Sequence, residues 1–307
     1  MAVAVAGAGL VGITPATSAA PSATSGPVTT VAASAAAAPA RYERYYRYMD
    51  TGRSRIPWSD TKWVPQGLAK NGSTENELLI SYYDSSGREN SRIAVIDRVS
   101  GKYKRYYKLP HRGHVGGLAT THQYVWVTYG GELQRYARTE FTRPSGSTIR
   151  FTYQQNVAGY ASYAYGSGNE VWVGNFNWGP GKTCPTKRVA NDKMYRYVVT
   201  STGALAHRET RVTPSKVQGV AMDGTKIVWS QSCGRKNDSK LIVWPRNRTY
   251  DGDFRYGSAI TAPNMSEGMV IAGGELQVVF EAASAYYSDA TYRIRSVHHG
   301  RFSSLPL

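Results

Sequence analysis

A short pattern of one small residue followed by apolar residues occurs five times along the chain, at intervals of roughly fifty residues. This interval is the period of a β-propeller blade. We explain the small residue by packing, because the first strands of the blades crowd about the central axis, where a side chain would collide. The five copies are Gln66-Gly67-Leu68-Ala69, Gly116-Gly117-Leu118-Ala119, Ala161-Ser162-Tyr163-Ala164, Gln218-Gly219-Val220-Ala221 and Glu267-Gly268-Met269-Val270.

Two further strands are predicted in every repeat. A dense apolar run, typical of a second strand buried on both faces, follows each copy at residues 78–82, 125–129, 171–176, 227–231 and 276–281. Alternating apolar and polar residues predict a half-buried third strand at 92–97, 132–138, 193–199, 239–244 and 291–297. In two repeats, Arg and Lys alternate with Tyr, which suits a solvated fourth strand at the edge, at 103–110 and 148–155.

The two chain ends are predicted to close the ring. The last repeat has three clear strands and then only RFSSLPL, whereas residues 41–49 have strand character and precede the first copy. If residues 41–49 supply the outer strand of the fifth blade, only short edges remain. The sequence therefore predicts an all-β fold over residues 41–307, a five-bladed β-propeller of four-stranded antiparallel blades closed by the N-terminal strand. Little helix is expected.

The first forty residues differ from the rest because they contain no charged residue. An apolar run at 2–13 gives way to Ala, Ser, Thr and Pro, which predicts a signal-peptide remnant and a disordered linker over residues 1–40. The run is interrupted at Pro15 and is shorter than the about 20 residues of a transmembrane helix. We therefore expect a secreted, extracellular monomer without a transmembrane segment. The alternative is a disordered linker with no export role.

Cysteine content and charge add two expectations. Cys184 and Cys233 are the only cysteines, and in an exported chain an even count predicts a disulfide, the alternative being two free thiols. The net charge of +16 predicts attraction to anionic cell-wall polymers, acidic polysaccharides or acidic proteins. We do not expect nucleic acid as a partner, because charge alone supports it and alternation places aromatic and cationic side chains on opposite strand faces.

Equivalent residues of a propeller lie at one height around the channel, and two such rings contain polar residues. The ring before the small residue comprises Gln66, Gly116, Ala161, Gln218 and Glu267, and the ring at the end of the second strand comprises Tyr82, Tyr129, Asn175, Gln231 and Glu281. His114 and Ser266 lie beside the same turns. These side chains predict a ligand site at the channel mouth; the alternative is that they bind channel water.

Glu267 and Glu281, both from the fifth repeat, are the predicted catalytic residues. Two carboxylates in different surroundings can serve as general acid and base, or as glycosidase partners. No cofactor is expected and no metal site is predicted. Calcium is an alternative occupant of the channel, because carboxylates and carbonyls suit it, although no DxDxDG loop is present. No GxSxG, HExxH or GxxxxGKS motif occurs, and His298-His299 is predicted to lie in a surface turn.

The segments WVPQGLA, GHVGGLA, VQGVAMDG with VWSQSCGRKNDSKL, and APNMSEGM followed by LQVVFEAASAYY resemble poorly characterised secreted bacterial propeller proteins over about residues 60–300. More distantly, the QG-plus-apolar opening resembles the glutamine cyclotransferase type of five-bladed propeller. In that type, acidic and aromatic residues at the channel mouth bind an N-terminal glutamine. The resemblance implies that Gln66, Gln218 and Glu267 belong to a site, without assigning catalytic roles.

Three functions follow as hypotheses. The first is an extracellular binding protein that uses the central-channel face, since no recognisable catalytic motif is present. The second is a propeller enzyme, a glycan hydrolase or lyase or a cyclotransferase, with Glu267 and Glu281 as acid and base. The third is a secreted structural module that presents Tyr, Lys and Gln for assembly or cross-linking.

Overall fold

Nineteen strands and one four-residue α-helix make up most of the regular structure of the described residues, 39–72, 75–178, 183–185 and 192–307 of a computed structural model. Residues 38–307 form one compact unit. The signal peptide and linker predicted over 1–40 lie outside the described residues, apart from residues 39 and 40, and stay predictions. No helix of the described part is long and apolar enough to cross a membrane.

The strands form five antiparallel sheets, each paired in chain order. The first blade contains β1 (Trp63–Lys70), β2 (Glu77–Asp84), β3 (Arg92–Asp97) and β4 (Tyr103–Lys108). The second contains β5 (Leu118–Thr120), β6 (Tyr124–Tyr129), β7 (Gly131–Ala137) and β8 (Phe151–Ala161). The third contains β9 (Tyr163–Ser167), β10 (Glu170–Gly174), β11 (Lys193–Val199) and β12 (Leu205–Val212). The fourth contains β13 (Val217–Met222), β14 (Lys226–Gln231), β15 (Ser239–Pro245) and β16 (Ser258–Ala262), and the fifth contains β17 (Ser266–Ala272), β18 (Glu275–Phe280) and β19 (His298–Arg301).

The first strands of the sheets surround a common axis, which confirms the predicted five-bladed propeller. They contact one another in the cyclic order β1, β5, β9, β13, β17 and back to β1. The small residue of the repeat lies where they approach most closely. A Cβ atom on Gly67 would lie 2.8 Å from the backbone nitrogen of Leu118, and one on Gly268 would lie 2.4 Å from that of Leu68. The repeated pattern is therefore the signature of crowding at the axis.

The apolar core is distributed between neighbouring blades. One buried cluster lies between the first and fifth blades, another between the first and second, and another between the second and third. The largest joins the third, fourth and fifth blades. The second strands supply much of each cluster, and every residue of β14 is buried, as the dense apolar runs predicted.

The N-terminal segment is helical, so the strand predicted at 41–49 is wrong. A short 3-10 helix, Ala40–Tyr42, leads into α1 (Glu43–Tyr46). Tyr42, Tyr45 and Met49 are buried in the largest cluster. The spacing of three residues places the Tyr42 and Tyr45 side chains on the same face of the helical segment. Residues that follow the helix pair with the last blade through the isolated bridges Asp50↔His299 and Arg55↔Ser296. The N-terminal region therefore does contact the fifth blade, through residues 50–55.

The third strand of the fifth blade also differs from the prediction. It is β19, not residues 291–297, and the preceding segment contains two 3-10 helices, Glu281–Ala283 and Ala285–Tyr287. Two more 3-10 helices are present among the described residues, at Arg138–Thr142 and Phe302–Ser304. The surface turn predicted for His298-His299 is wrong, because His298 is buried within β19 and its Nδ1 lies 2.9 Å from the Tyr45 hydroxyl. The outer strands β12 and β16 were not predicted, and β8 ends six residues beyond the predicted 148–155.

A disulfide joins Cys184 to Cys233, with a Cα–Cα distance of 5.5 Å. The predicted bond is confirmed. Cys233 lies in the loop that follows β14, and Cys184 lies between the second and third strands of the third blade. The bond therefore ties a loop of the fourth blade to the third blade.

Candidate functional site

A cavity of about 460 Å³ opens at the end of the channel where most of the first strands begin. All five blades contribute to it, since Gln66, Gly116, Ser162, Gln218 and Glu281 belong to successive blades. The wall also carries aromatic side chains and one arginine, namely Tyr160, Phe176, Trp178, Tyr287 and Arg235. A concave site with apolar walls and a few converging polar groups is the usual form of a ligand site.

Two buried glutamates lie together beside this cavity. Glu267 is the second residue of β17 and is 1% exposed, whereas Glu281 directly follows β18, lines the cavity and is 7% exposed. Since β17 and β18 form a hairpin, the beginning of one lies beside the end of the other. The two side chains are hydrogen-bonded to each other. Gln218 lies close enough to Glu267 to lower its pKa, and Gln66 Nε2 donates to Glu281 Oε1.

Above about pH 7, the pair of carboxyl groups holds one proton. Burial, reinforced by the negative charge of Glu281, raises the pKa of Glu267 well above its ordinary value. Burial also raises the pKa of Glu281 to about 7, while hydrogen bonds from Glu267 and Gln66 and the charge of Arg235 oppose the rise. Two neighbouring carboxylates cannot both ionise easily in such surroundings. We infer that Glu267 holds the proton and donates it in a hydrogen bond to the Glu281 carboxylate.

Gln66 connects this pair to His114. The His114 Nδ1 atom lies 3.2 Å from Gln66 Oε1, and the His114 ring lies 4.1 Å from that of Tyr83. Burial lowers the pKa of His114, so the imidazole is neutral at pH 7. Its Nδ1–H can therefore donate to Gln66 Oε1 and orient the amide so that Nε2 faces Glu281.

Arg235 also lines the cavity and carries a positive charge, whereas Glu281 can carry a negative one. Its guanidinium carbon lies 4.9 Å from the centre of the Tyr287 ring, and Nη1 lies 3.1 Å from Asp289 Oδ1. Arg235 follows Cys233 by two residues, so the disulfide anchors the loop that carries it. Its charge lowers the pKa of Glu281, against the larger effect of burial.

The structure brings together five of the ten predicted site residues, namely Gln66, His114, Gln218, Glu267 and Glu281. The other five are not among the described residues that line the cavity. Tyr82 is buried against Trp58, and Tyr129 stacks on His111 at 3.6 Å. Gln231 donates to the Pro185 and Ser215 carbonyls, Ser266 bonds Ser230, and Asn175 is half-buried just beyond β10.

In the ring predicted at the ends of the second strands, Tyr82 and Gln231 were aligned with Glu281 one residue too early. Pro65 pairs with Tyr82, Val217 with Gln231 and Ser266 with Phe280, and each first member immediately precedes the ring of Gln66, Gln218 and Glu267. Tyr82 and Gln231 therefore correspond to Phe280. The equivalents of Glu281 are Tyr83 and Ser232, the residues one step further on. A shift of one residue turns a strand side chain to the opposite face, which explains why Tyr82 and Gln231 point away.

Sequence reasoning missed Arg235 and the aromatic wall. Phe176 and Trp178 form an edge-to-face pair at 5.0 Å, in the segment that follows β10. Trp178 is 64% exposed and Tyr160 is 62% exposed, although both rings are large. The available signal was a pair of aromatic residues in the polar stretch NFNWG, immediately after a second strand.

No cluster of three or more His, Cys, Asp or Glu side chains that could hold a metal ion is present among the residues described. The calcium alternative stays a hypothesis.

Replacing Glu281 by Gln is expected to remove a pH-dependent loss of stability. Folding raises the pKa of Glu281 from 4.5 to about 7, so this group stabilises the folded state fully below about pH 4.5 and less as pH rises through 7. Between pH 4 and pH 8, Glu281→Gln should gain stability over the wild type by on the order of 3 kcal/mol. Urea denaturation across this range measures the difference. Glu132→Gln, on β7, is the control, and parallel curves for Glu281→Gln and wild type would contradict the assignment.

Comparison with known proteins gives no match to a protein-family model or to a curated protein. Among solved structures, the chain is similar to glutaminyl cyclase from Myxococcus xanthus, with 10% identity over 74% of this chain and 90% of that chain and a TM-score of 0.46. It is similar to a luciferin-regenerating enzyme, with 11% identity over 82% of this chain and 96% of that one and a TM-score of 0.46. The chain is also similar to a hydrazine synthase chain from Kuenenia stuttgartiensis, with 11% identity and a TM-score of 0.42. This similarity covers 72% of the present chain but 57% of the hydrazine synthase chain. At identities of 10–11%, these similarities concern the fold alone.

Proposed function

We propose that the protein is an enzyme that transfers a proton at a substrate bound in the channel-mouth cavity. Glu281 acts as general base and then general acid, and Glu267 is the neutral carboxyl group that supports it. The observation that supports this proposal is the buried pair of carboxyl groups, in which Glu281 lines the cavity and has its pKa raised to about 7. General acid–base catalysis is most effective when the pKa of the catalytic group lies near the working pH. Strongly perturbed carboxyl groups in a cleft are typical of catalytic sites.

The contact between the Glu267 and Glu281 carboxyl groups limits the reactions that this pair could catalyse. Glycosidases hold their two carboxyl groups at least about 5 Å apart, so that a sugar and, in inverting enzymes, a water fit between them. Glu267 and Glu281 are hydrogen-bonded to each other, which leaves no such gap. This pair therefore suits a reaction in which one carboxylate moves one proton, rather than glycan hydrolysis.

Intramolecular acyl transfer is the reaction that fits best. An amine of the substrate attacks a side-chain amide carbon, and the Glu281 carboxylate accepts the amine proton as the new C–N bond forms. The same proton then passes from Glu281 to the leaving nitrogen, so that ammonia departs and no co-reactant is needed. The resemblance of the blade openings to glutamine cyclotransferases supports N-terminal glutaminyl compounds as the first substrates to test.

The test is ammonia release from the dipeptide Gln-Phe, measured with a coupled assay. We expect Glu281→Gln to lower kcat by about 100-fold or more, since the proton acceptor is lost. Glu132→Gln should retain wild-type kcat. Absence of turnover for N-terminal glutaminyl dipeptides, or full activity of Glu281→Gln, would contradict the proposal.

A second candidate is an extracellular binding protein without turnover. The exposed Trp178 and Tyr160 rings favour it, because aromatic rings at a cavity rim contact ligands whether or not chemistry follows. Tight binding of a compound that the protein leaves unchanged would support this candidate.

Secretion belongs to the same proposal. A bonded cysteine pair is typical of oxidising compartments, and the uncharged, apolar first forty residues resemble an export signal. The net charge of +16 supports association with anionic polymers outside the cell. Detection of the chain in culture supernatant, with both cysteines oxidised by mass spectrometry, tests the location.

A further inference from the structure

The cavity carries opposite charges at two separate places. Among its described lining residues, Arg235 provides positive charge and Glu281 provides negative charge, while His114 is neutral. The charge of Arg235 is felt at Glu281, yet the two groups form no ion pair. A ligand placed between them can therefore meet an acceptor at one end and a cationic donor at the other.

Arg235 is held in position by two tyrosine rings and one carboxylate. Its guanidinium lies over Tyr287 and 5.7 Å from the Tyr286 ring, and Nη1 bonds Asp289. Asp289 is also bonded by Lys236, so its negative charge is shared between two cations. Among the described residues, Asp289 is the only ion-pair partner of Arg235. A stacked guanidinium keeps its planar fork of donors oriented, which is the geometry that binds a carboxylate with two hydrogen bonds.

We propose that the substrate is a short peptide with both termini free, which places its amino group at Glu281 and its carboxylate on Arg235. This inference rests on the function proposed for the cavity and specifies its substrate. A cavity of about 460 Å³ lies within the range of small-molecule sites, about 300–1,000 Å³, and so suits a dipeptide better than a long chain. The aromatic rings of Phe176, Trp178 and Tyr287 offer apolar surface for the side chains between the two termini.

Binding is tested with three compounds that cannot cyclise. They are Ala-Phe, its C-terminal amide, which lacks the carboxylate, and N-acetyl-Ala-Phe, which lacks the amino group. By calorimetry, we expect Ala-Phe to bind at least about tenfold more tightly than either analogue, because hydrogen bonds to charged groups contribute that much. Arg235→Gln should abolish the preference for Ala-Phe over the amide, because the affinity for Ala-Phe falls by more than the affinity for the amide. Glu281→Gln should reduce the preference over the acetylated compound.

The matched control is Arg248→Gln. Arg248 also lies over a tyrosine ring, that of Tyr256 at 3.8 Å, but it is not among the described residues of the cavity wall. This variant should keep the wild-type preference, and circular dichroism checks that all variants are folded. Equal affinity for the three compounds, undetectable binding of Ala-Phe, or an unchanged preference in Arg235→Gln would overturn the inference.

Turnover separates this inference from the proposed function. If both are right, Gln-Phe has a lower KM than Gln-Phe amide, and Arg235→Gln removes this difference by raising the KM for Gln-Phe more than the KM for the amide. Equal KM values for the two substrates would overturn the inference while the proposed acyl transfer stands. Selective binding of Ala-Phe without turnover of Gln-Phe would support the carboxylate site and reject the acyl transfer.

Discussion

Gly268→Ala is expected to destabilise the protein by about 3 kcal/mol or more, enough to reduce the yield of folded chain. A Cβ atom at Gly268 would lie 2.4 Å from Leu68 N, 2.6 Å from Gln66 O and 2.7 Å from Gly67 C. All three atoms belong to the backbone of β1, so no side-chain rotation can relieve the overlap. The two strands would have to separate where the fifth blade meets the first and the ring closes. Urea denaturation measures the loss.

Gly224→Ala is the matched control for this substitution. No atom lies within 4 Å of a Cβ placed at Gly224, so its free energy of unfolding should change by less than about 1 kcal/mol. Gly268 also adjoins Glu267, and a shift of β17 would displace the carboxyl pair. Equal stability of the two variants would show that the inner strands are not in close contact at the axis.

Removal of the disulfide is expected to cost about 2–4 kcal/mol of stability. Cys184 and Cys233 are 49 residues apart, and the bond restricts the unfolded chain while fixing the loop of the fourth blade against the third. Ser232, Gly234 and Arg235 surround Cys233 and line the cavity, so ligand affinity should fall together with stability. The double variant Cys184→Ala/Cys233→Ala, examined by urea denaturation and by Ala-Phe calorimetry, provides both values.

A reducing agent supplies the control for this second prediction. Dithiothreitol should lower the unfolding midpoint of the wild type to that of the double variant and leave the double variant itself unchanged. If the oxidised and reduced wild-type proteins unfold at the same urea concentration, the bond contributes nothing to the fold.

The fifth blade differs from the other four because it supplies both carboxyl groups. At the corresponding positions, the first blade has Gln66 and Tyr83, and the fourth has Gln218 and Ser232. The amide group of Gln66 bonds Glu281, and Gln218 lies beside Glu267 and lowers its pKa. The fifth blade is the one with acidic residues at both positions, so the ring contains a single carboxyl pair of this kind among the described residues.

The number of blades, the positions of most second and third strands, and the ring of residues that precedes the small residue of each repeat can be read from the sequence alone. This is possible because the requirements at those places are local. The axis admits only small residues such as Gly67 and Gly268, and a strand buried on both faces needs a continuous apolar run. Gln66, Gln218 and Glu267 could be placed in one ring because each immediately precedes such a small residue.

The second ring, the helix near the N terminus and the cavity wall depend on tertiary contacts that the sequence pattern does not show. Whether Tyr82 or Tyr83 faces the channel depends on the pairing between β1 and β2, and a shift of one residue reverses the face. Residues 41–49 alternate enough to resemble a strand, but the 3-10 helix and α1 together bury Tyr42 and Tyr45 against the last blades. Arg235 and Trp178 lie in loops outside the repeat, and they meet at one cavity because the ring closes and the disulfide joins neighbouring blades. Such contacts join residues far apart in sequence, so no local pattern records them.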